Sequence, residues 1–479
     1  MKTILAAAFA ATVALASSPA SPQTSALSAQ PVVQPAAAPP ATRPFGTLRE
    51  QAALQQAWLA ERLRTVLPAL MRKHGVDAWV IPMREYNEDP VFSSLVSPTT
   101  FAARRRTIYV FFDKCAADGR TDPGDGSCIE RIALGGTSQG GLYDARRATK
   151  TVDVETDGRQ AELWGDEQWG ALREVIEERD PKVIAINVSR TFAFTDGLSA
   201  GEFDGMTEAL GEPWTSRFQP AESLALDFIA TRVAGEAEQF GRMQELVWSL
   251  TQRMFSSEVI TPGVTRTSEA VWWWRQQLAD MGLDTWFQPS VSVQRRGASA
   301  EDLGEDPVIL PGDVLHCDVG ITALDLNTDT QHMGYVLLPG ETDAPAGLQQ
   351  ALANANRLQD IVMGELRAGR TGNEILSSSI TRMQVAGING TVYSHPIGKH
   401  GHGAGPLIGL WDYQGGVPGR GDARVIPDMW YSIELQATTP VPEWGGQQVR
   451  MMQEEDAIVG ADGSTRWALR RQDRLFLVK

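Results

Sequence analysis

The last third of the chain contains one histidine and four acidic residues of the types that hold a pair of divalent metal ions. They are Asp318, Asp329, His402, Glu434 and Glu455. One imidazole among four carboxylates favours manganese, cobalt or zinc over metals that prefer sulfur ligands. Two metals bridged by carboxylates generate a hydroxide at neutral pH, so these residues predict a hydrolase if they meet in space.

The two aspartates lie where a hairpin would bring them together. Residues 314–319 form an apolar run that predicts a strand, and Asp318 lies near its end. A carboxylate at the end of a buried strand must be paired or bound to metal. Asp329 lies at the start of a predicted return strand, from which both carboxylates would point at one place. Taken singly, each aspartate also suits an ordinary strand end or turn.

The histidine comes from a glycine-rich segment. Three of the six histidines, His395, His400 and His402, lie within eight residues. Glycines on both sides of His402 would let its backbone approach an ion closely. A single histidine is more often a hydrogen-bonded structural residue, but this clustering favours a site. His400 is the alternative ligand to His402.

The two glutamates lie on predicted strands. Alternation along residues 430–435 places Glu434 on the opposite face from Tyr431 and Ile433. Glu455 belongs to an acidic cluster, residues 454–456, that leads into an apolar run. Alone, the first would be a solvent-facing strand residue and the second a charged strand edge.

The first residues predict export. Residues 1–16 combine Lys2, an apolar run and a small-residue cleavage site, which is the pattern of a signal peptide. Residues 17–45 are rich in Ala, Pro and Ser and predict a flexible leader. We therefore expect a periplasmic or secreted protein without a membrane anchor. The net charge of −16 argues against nucleic acid as a partner.

Export permits disulfides. Cys115 and Cys128 flank a loop between two strand-like runs, residues 107–112 and 129–134. A hairpin would bring the two cysteines together, so we predict a Cys115–Cys128 bridge; two unpaired thiols are the alternative. Cys317 is left over as a buried, inert thiol.

Helical and strand patterns predict two domains after the leader. Residues 46–225 alternate helices and strands and predict a smaller α/β domain, whereas residues 226–479 predict an α+β domain with a curved antiparallel sheet. The predicted helices cover residues 48–73, 166–179, 235–256, 268–281 and 344–367. Further predicted strands cover residues 76–82, 183–188, 314–319 and 333–338.

The order of the motifs resembles that of the pita-bread metallopeptidases. The motifs are Asp-x-Gly at 318–320, Asp329, Gly-His-Gly at 401–403, Glu434 and Glu-Asp-x-Ile at 455–458. The resemblance covers residues 235–459. The preceding α/β segment resembles the creatinase-like N-terminal domain of the Xaa-Pro aminopeptidase and prolidase branch.

The resemblance implies a metal-dependent exopeptidase with a pita-bread catalytic domain, a peptide substrate and a bridging hydroxide. Asp318 would bind one metal, His402 and Glu434 the other, and Asp329 and Glu455 both. The family pattern selects Glu455 rather than Glu454. Glu434 would also shuttle a proton. Two divalent ions are expected, with manganese favoured over cobalt or zinc, and the family relation implies a homodimer.

The chain departs from the family pattern around the metal ligands. His332 stands where the family has arginine, and Tyr413 where it has histidine. His395 is expected to fill one auxiliary catalytic role, and Tyr413 to donate a hydrogen bond. A hydrolase of another small amide or ester, or a secreted binding protein that retains the metal site, are therefore the alternatives to an exopeptidase.

Overall fold

The computed structural model describes residues 43–146 and 160–479, without the side chains of 160–166. The predicted signal peptide and most of the predicted leader lie outside the described residues. Within the described part of the chain, no helix has the length and apolar character needed to cross a membrane.

The first part of the described chain is built on a six-stranded sheet whose order is β4-β3-β2-β1-β5-β6. Its strands are β1 (Ala78–Arg84), β2 (Arg106–Asp113), β3 (Ile129–Leu134), β4 (Asp144–Arg146), β5 (Ile184–Ile186) and β6 (Phe218–Pro220). β1 is antiparallel to β2 and parallel to β5. Trp79 and Ile81 pack into one apolar cluster and Val80 into another, so both faces of the sheet are covered.

Helices cover this sheet. They are α1 (Leu48–Glu61), which continues through one π-helical turn (Arg62–Val66) into α2 (Leu67–Lys73), then α3 (Phe92–Leu95), α4 (Lys114–Ala117), α5 (Gln160–Arg179), α6 (Ala200–Leu210) and α7 (Glu222–Ala230). Cys115 lies in α4, directly after β2, and is bonded to Cys128, which immediately precedes β3. The predicted disulfide is therefore confirmed, and Cys317 is a buried free thiol.

The second part is a nine-stranded sheet with the central order β12-β14-β15-β11-β8-β7. Its strands are β7 (Ser290–Gln294), β8 (Val314–Val319), β11 (Thr330–Val336), β12 (Asn389–Val392), β13 (His395–Ile397), β14 (Trp430–Val441), β15 (Gln447–Val459), β16 (Thr465–Trp467) and β17 (Phe476–Val478). A small hairpin, β9 (Thr322–Ala323) and β10 (Leu326–Asn327), lies between β8 and β11.

Long helices cover one face of this sheet. They are α8 (Ala234–Met254), α9 (Thr267–Asp280), α11 (Ala346–Glu365) and α12 (Gly372–Val385), with the short α10 (Ala300–Leu303) beside them in the chain. Leu315 and Cys317 of β8 pack with α8, and Ile433 and Leu435 of β14 pack with α11. The alternate residues of the same strands therefore face away from the helices.

The fold class agrees with the sequence prediction: an α+β pita-bread domain follows a smaller α/β domain. β8 has the predicted bounds, and α5 begins at Gln160, six residues before the predicted start. The predicted helices did not include α12. The predicted boundary at residues 225 and 226 falls inside α7.

Candidate metal centre and adjoining cleft

One row of side chains crosses four neighbouring strands of the large sheet. Asp318 in β8 pairs with Gln331 in β11, Gln331 with Glu454 in β15, and Glu454 with Glu434 in β14. Residues directly opposite each other on adjacent strands point to the same face. The register therefore collects three carboxylates and one amide on the face that the helices leave free.

Asp329 and His395 complete the cluster. His395 lies in β13, and its Nε2 is 3.2 Å from Glu454 Oε1, 3.6 Å from Asp329 Oδ2 and 3.8 Å from Glu434 Oε2. Ligand atoms of Asp318, Asp329 and Glu454 lie within 4.8 Å of one another, as do those of His395, Glu434 and Glu454. The two groups share Glu454, which is the arrangement that a pair of metal ions with a bridging carboxylate requires.

Three buried atoms of the cluster have no hydrogen-bond partner among the residues that the structure describes. They are Asp318 Oδ1, Asp329 Oδ1 and His395 Nε2. A buried polar atom without a partner costs about 1–3 kcal/mol, so three together are not expected in a site that holds nothing. Divalent cations would satisfy all three atoms, and the donor set of carboxylate oxygens with one imidazole fits such ions.

Without a bound cation, it is unfavourable for all the carboxyl groups of the cluster to be ionised together. Burial, together with the negative charge of Glu454, raises the pKa of Asp318, Asp329 and Glu434 well above the usual carboxyl range. Burial and Glu454 likewise raise the pKa of Asp456. Bound cations would favour the ionised forms and lower these pKa values.

The raised pKa values predict that metal stabilises the protein more at pH 8 than at pH 5. Without metal, the folded protein keeps protons on these carboxyls that the unfolded chain releases near pH 4. Its stability therefore falls as pH rises from about 4 through the raised folded-state values. Bound cations would keep these carboxyls ionised in the folded protein, so this loss of stability with rising pH would not occur. Thermal unfolding of metal-free and manganese-loaded protein measures the difference in Tm, and an equal or smaller difference at pH 8 would contradict this account.

Glu455 lies on the other face of β15, which contradicts its prediction as a bridging ligand. Its Oε1 accepts a hydrogen bond of 3.0 Å from the backbone N–H of Gln472, and its Oε2 accepts one of 3.3 Å from Trp248 Nε1. His332 Nε2 lies 3.1 Å from Oε1. Adjacent strand residues alternate in direction, so only one member of the Glu454–Glu455 pair can face the cluster. That member is Glu454.

The structure adds a second histidine, His395, to the candidate metal ligands and leaves the predicted His402 at their edge. His395, predicted as an auxiliary residue, is the one that contacts three carboxylates, because β13 pairs with β14 beside Glu434. His402, predicted as the metal ligand, is exposed, and its ring lies edge-on to that of His395 with centroids 4.7 Å apart. One His402 nitrogen lies within 4.8 Å of ligand atoms of both Asp329 and His395, so His402 remains a candidate metal ligand as predicted.

The other predicted histidine ligand, His400, packs against Phe194 with ring centroids 4.7 Å apart and belongs to none of the ligand groups among the described residues. Gly401, beside it, is required for steric reasons. A Cβ there would lie 2.1 Å from Cε2 of Trp286, which also contacts the His402 ring.

The face with the carboxylates opens into a cleft of about 420 Å³. Its lining residues are Thr191, Phe192, Ala193, Phe194, Tyr393, His395, His402, Leu407, Gly409, Leu410, Trp411, Arg420 and Glu434. A volume of this size is typical of a pocket for a small molecule. Residues 191–194 come from the first part of the chain, so both parts of the described structure form the walls.

Tyr413 does not reach this cleft. Its side chain is 55% exposed, and Trp411 of the same loop lines the cleft instead. The structure therefore does not support Tyr413 as a hydrogen-bond donor at the centre. Tyr393, which the sequence analysis did not select, lines the cleft beside Glu434, and burial raises the pKa of its phenol.

Arg420 is the second cleft residue that the sequence analysis missed. Its guanidinium makes no hydrogen bond or ion pair with the residues that the structure describes, and burial lowers its pKa. Its charge also lowers the pKa of His402, behind burial and His395 among the causes. A half-buried cation without a partner is a site for an anionic group.

Asp456 connects the cluster to α8. Its Oδ2 accepts hydrogen bonds from the Asp329 amide at 3.3 Å and from Gln244 Nε2 at 2.5 Å. The backbone of Asp329 is thereby held against β15 from outside the cluster.

Sequence comparison relates part of the chain to a known family. A family model described as "Metallopeptidase family M24" matches residues 241–459. No curated protein is significantly similar to the chain in sequence.

Solved structures share the fold over most of the chain. An X-Pro aminopeptidase from Thermotoga maritima MSB8 has 17% identity and a TM-score of 0.56, over 86% of this chain and 100% of that one. An Xaa-Pro dipeptidase from Bacillus anthracis has 16% identity and a TM-score of 0.53, over 88% and 99%. The N-terminal domain of the FACT complex subunit SPT16 from Cicer arietinum has 12% identity and a TM-score of 0.54, over 88% and 99%. The third is not described as a peptidase, so function must be argued from the site.

Proposed function

Since residues 241–459 of this chain belong to metallopeptidase family M24, we propose that the protein is a two-metal exopeptidase of the Xaa-Pro aminopeptidase or prolidase type. The observation that carries the proposal is the meeting of four carboxylates and one imidazole, of which His395 and Glu434 line one cleft. The residues are Asp318, Asp329, His395, Glu434 and Glu454.

The proposed ligands divide into two overlapping sets. Asp318 and Asp329 lie on one side, His395 and Glu434 on the other, and Glu454 belongs to both. Asp329 also approaches His395, so it would be the second bridging group. Oxygen ligands with one nitrogen favour manganese, with cobalt and zinc as alternatives. When bound, such cations polarise a scissile carbonyl and lower the pKa of a water.

Glu434 and His402 are the proposed groups that handle protons and orient the peptide. Glu434 lines the cleft, so its carboxyl can take a proton from the attacking water and return it to the leaving nitrogen. His402 is exposed at the cleft but its ring is partly buried, and this lowers its pKa and favours the neutral imidazole. From the cleft wall, that neutral ring can hold the substrate carbonyl through a hydrogen bond.

Arg420 favours substrates with a free carboxylate within the cleft. A dipeptide places its C-terminal carboxylate one residue beyond the scissile bond, where an unpartnered guanidinium would bind it. A longer peptide would present a neutral amide at the same place. The prolidase type is therefore our preferred form of the proposal.

Arg420→Met is expected to raise KM for an Xaa-Pro dipeptide by about 10–100-fold, because a charge-assisted hydrogen bond contributes about 1.5–3 kcal/mol. KM for the same peptide with an amidated C-terminus should change little. Arg424→Met is the matched control, because Arg424 is exposed in the same loop and donates to the Gly369 carbonyl. Equal changes in KM for the free and amidated peptides would contradict the role of Arg420.

The function is tested with manganese-loaded protein and a small peptide panel. We expect hydrolysis of Xaa-Pro dipeptides and slower hydrolysis of dipeptides without proline. N-acetylation should abolish hydrolysis if the enzyme requires a free N-terminus, as an aminopeptidase or a dipeptidase does. Cleavage of internal bonds in long peptides would contradict an exopeptidase, and cleavage only of other small amides or esters would favour the alternative hydrolase.

We also infer that the protein is exported to the periplasm or beyond. The signal-like pattern of residues 1–16 and the Cys115–Cys128 disulfide support this, because disulfides persist in oxidising compartments. A homodimer, implied by the family resemblance, remains part of the proposal.

A further inference from the structure

Gln331 occupies the middle of the carboxylate row. Its side-chain Nε2 lies 2.5 Å from Glu434 Oε1 and 2.9 Å from Glu454 Oε2. The residue is buried, and it pairs in the sheet with Asp318 on one side and Glu454 on the other. One amide group therefore spans two proposed ligands on adjacent strands.

The direction of every hydrogen bond around Gln331 follows from chemistry. Bound cations would keep Glu434 and Glu454 ionised, and ionised carboxylates only accept, so the amide then turns its two N–H groups toward them. Its Oε1 then faces His316 Nε2 at 2.9 Å, and that nitrogen must carry the proton. In a neutral imidazole, Nδ1 is left to accept from the Ser292 hydroxyl, 3.3 Å away. Donation thus runs from Ser292 through His316 and Gln331 to the carboxylates.

This series of hydrogen bonds distinguishes the two oxygens of each glutamate: one accepts from Gln331 and the other lies near His395. Gln331 holds Glu434 Oε1 and Glu454 Oε2, while Glu434 Oε2 and Glu454 Oε1 are the oxygens near His395. Carboxylates directly opposite each other on neighbouring strands repel, and a shared donor between them reduces that repulsion. Both side chains are thereby held with those oxygens toward His395.

We propose that Gln331 is a positioning residue of the metal centre, which holds Glu434 and Glu454 so that the oxygens near His395 are presented to the ions. His316 and Ser292 set the orientation of its amide. The kinetic consequence rests on the proposed peptidase function, whereas the consequence for metal affinity does not.

The test compares Mn²⁺ affinity in Gln331→Met and wild type by calorimetry. Methionine keeps the length of the side chain and removes both donors. Loss of an outer partner of metal ligands lowers affinity by about 10–100-fold, and we expect an increase of that size in Kd. At manganese concentrations that saturate the variant, kcat should fall with KM unchanged, because Gln331 acts on the ligands and not on the peptide.

Gln453→Met is the matched control. Gln453 is also buried and precedes Glu454 in β15, but it faces the helices and donates to the Gln472 carbonyl at 3.4 Å. A loss of affinity in Gln331→Met no larger than in Gln453→Met would overturn the proposal.

Ser292→Ala provides a second variant if Gln331→Met does not fold, because Ser292 is exposed at the outer end of the chain of donors. Ser292→Ala should also raise the Kd for Mn²⁺, by a smaller factor than Gln331→Met. An unchanged Kd would contradict the proposed series of hydrogen bonds from Ser292 to the carboxylates. If wild type binds two Mn²⁺ but cleaves no peptide, the proposed function fails, while the ratio of affinities still decides the role of Gln331.

Discussion

Glu454→Gln is expected to lose high-affinity metal binding and to lower kcat/KM by at least about 100-fold. Glu454 belongs to both ligand groups, and its Oε1 is the carboxylate oxygen nearest to His395 Nε2. Changes in the outer partners of metal ligands already cost about 10–100-fold, so removing a shared ligand should cost more. Metal analysis after dialysis and peptide hydrolysis at fixed manganese measure the two effects.

Glu455→Gln is the control for that result, and it should bind metal as wild type does. Its carboxylate interacts with His332, Trp248 and the Gln472 amide on the helix-covered face. We expect a decrease of about 1–3 kcal/mol in the free energy of unfolding, because a buried hydrogen-bonded group is altered. Loss of metal in Glu455→Gln with retention in Glu454→Gln would reverse our assignment.

His395→Ala is expected to weaken metal binding about as much as Glu454→Gln does, whereas His402→Ala should keep both metals. His395 Nε2 lies within 3.8 Å of three carboxylates and makes no hydrogen bond elsewhere in the described part of the chain, which is the environment of a ligand. We expect the Kd for at least one Mn²⁺ to rise about 100-fold or more, beyond the usual effect of outer residues. Calorimetry with the three variants His395→Ala, His402→Ala and His400→Ala measures this directly.

His402→Ala should instead reduce kcat/KM by about 10–100-fold, because it would remove one hydrogen bond to a polarised carbonyl. His400→Ala should change neither metal affinity nor turnover by a comparable factor, since the His400 ring packs on Phe194. Normal metal affinity in His395→Ala, combined with weak binding in either of the other variants, would contradict the placement of the centre.

The sequence predicted the parts of the site that depend on local pattern. An apolar run bounded by turns identifies β8, and Asp318 at its end is conspicuous because a buried strand rarely ends in an unpaired charge. The return strand that begins directly after Asp329 follows from the same reasoning. The Cys115–Cys128 bridge was predictable because a single hairpin brings the two residues together.

Other parts of the site depend on the pairing of strands that are far apart in the sequence, which local sequence patterns do not determine. In the doublet Glu454–Glu455, both residues match an acidic strand, and only the pairing of Glu434 with Glu454 sets which one faces the cleft. The glycines around His402 indicated close approach, but the close neighbour of Gly401 is Trp286. Arg420 lies in an irregular segment without a local pattern, so only the cleft reveals its unpartnered charge.

The central claim, that two metals held by these residues cut a peptide bond, is tested most directly by adding manganese in steps to metal-free protein. Bound metal per chain and hydrolysis of an Xaa-Pro dipeptide are measured on the same samples. We predict that hydrolysis rises with occupancy and reaches its maximum at two bound ions per chain. Two ions bound per chain without hydrolysis of any Xaa-Pro peptide would contradict the account.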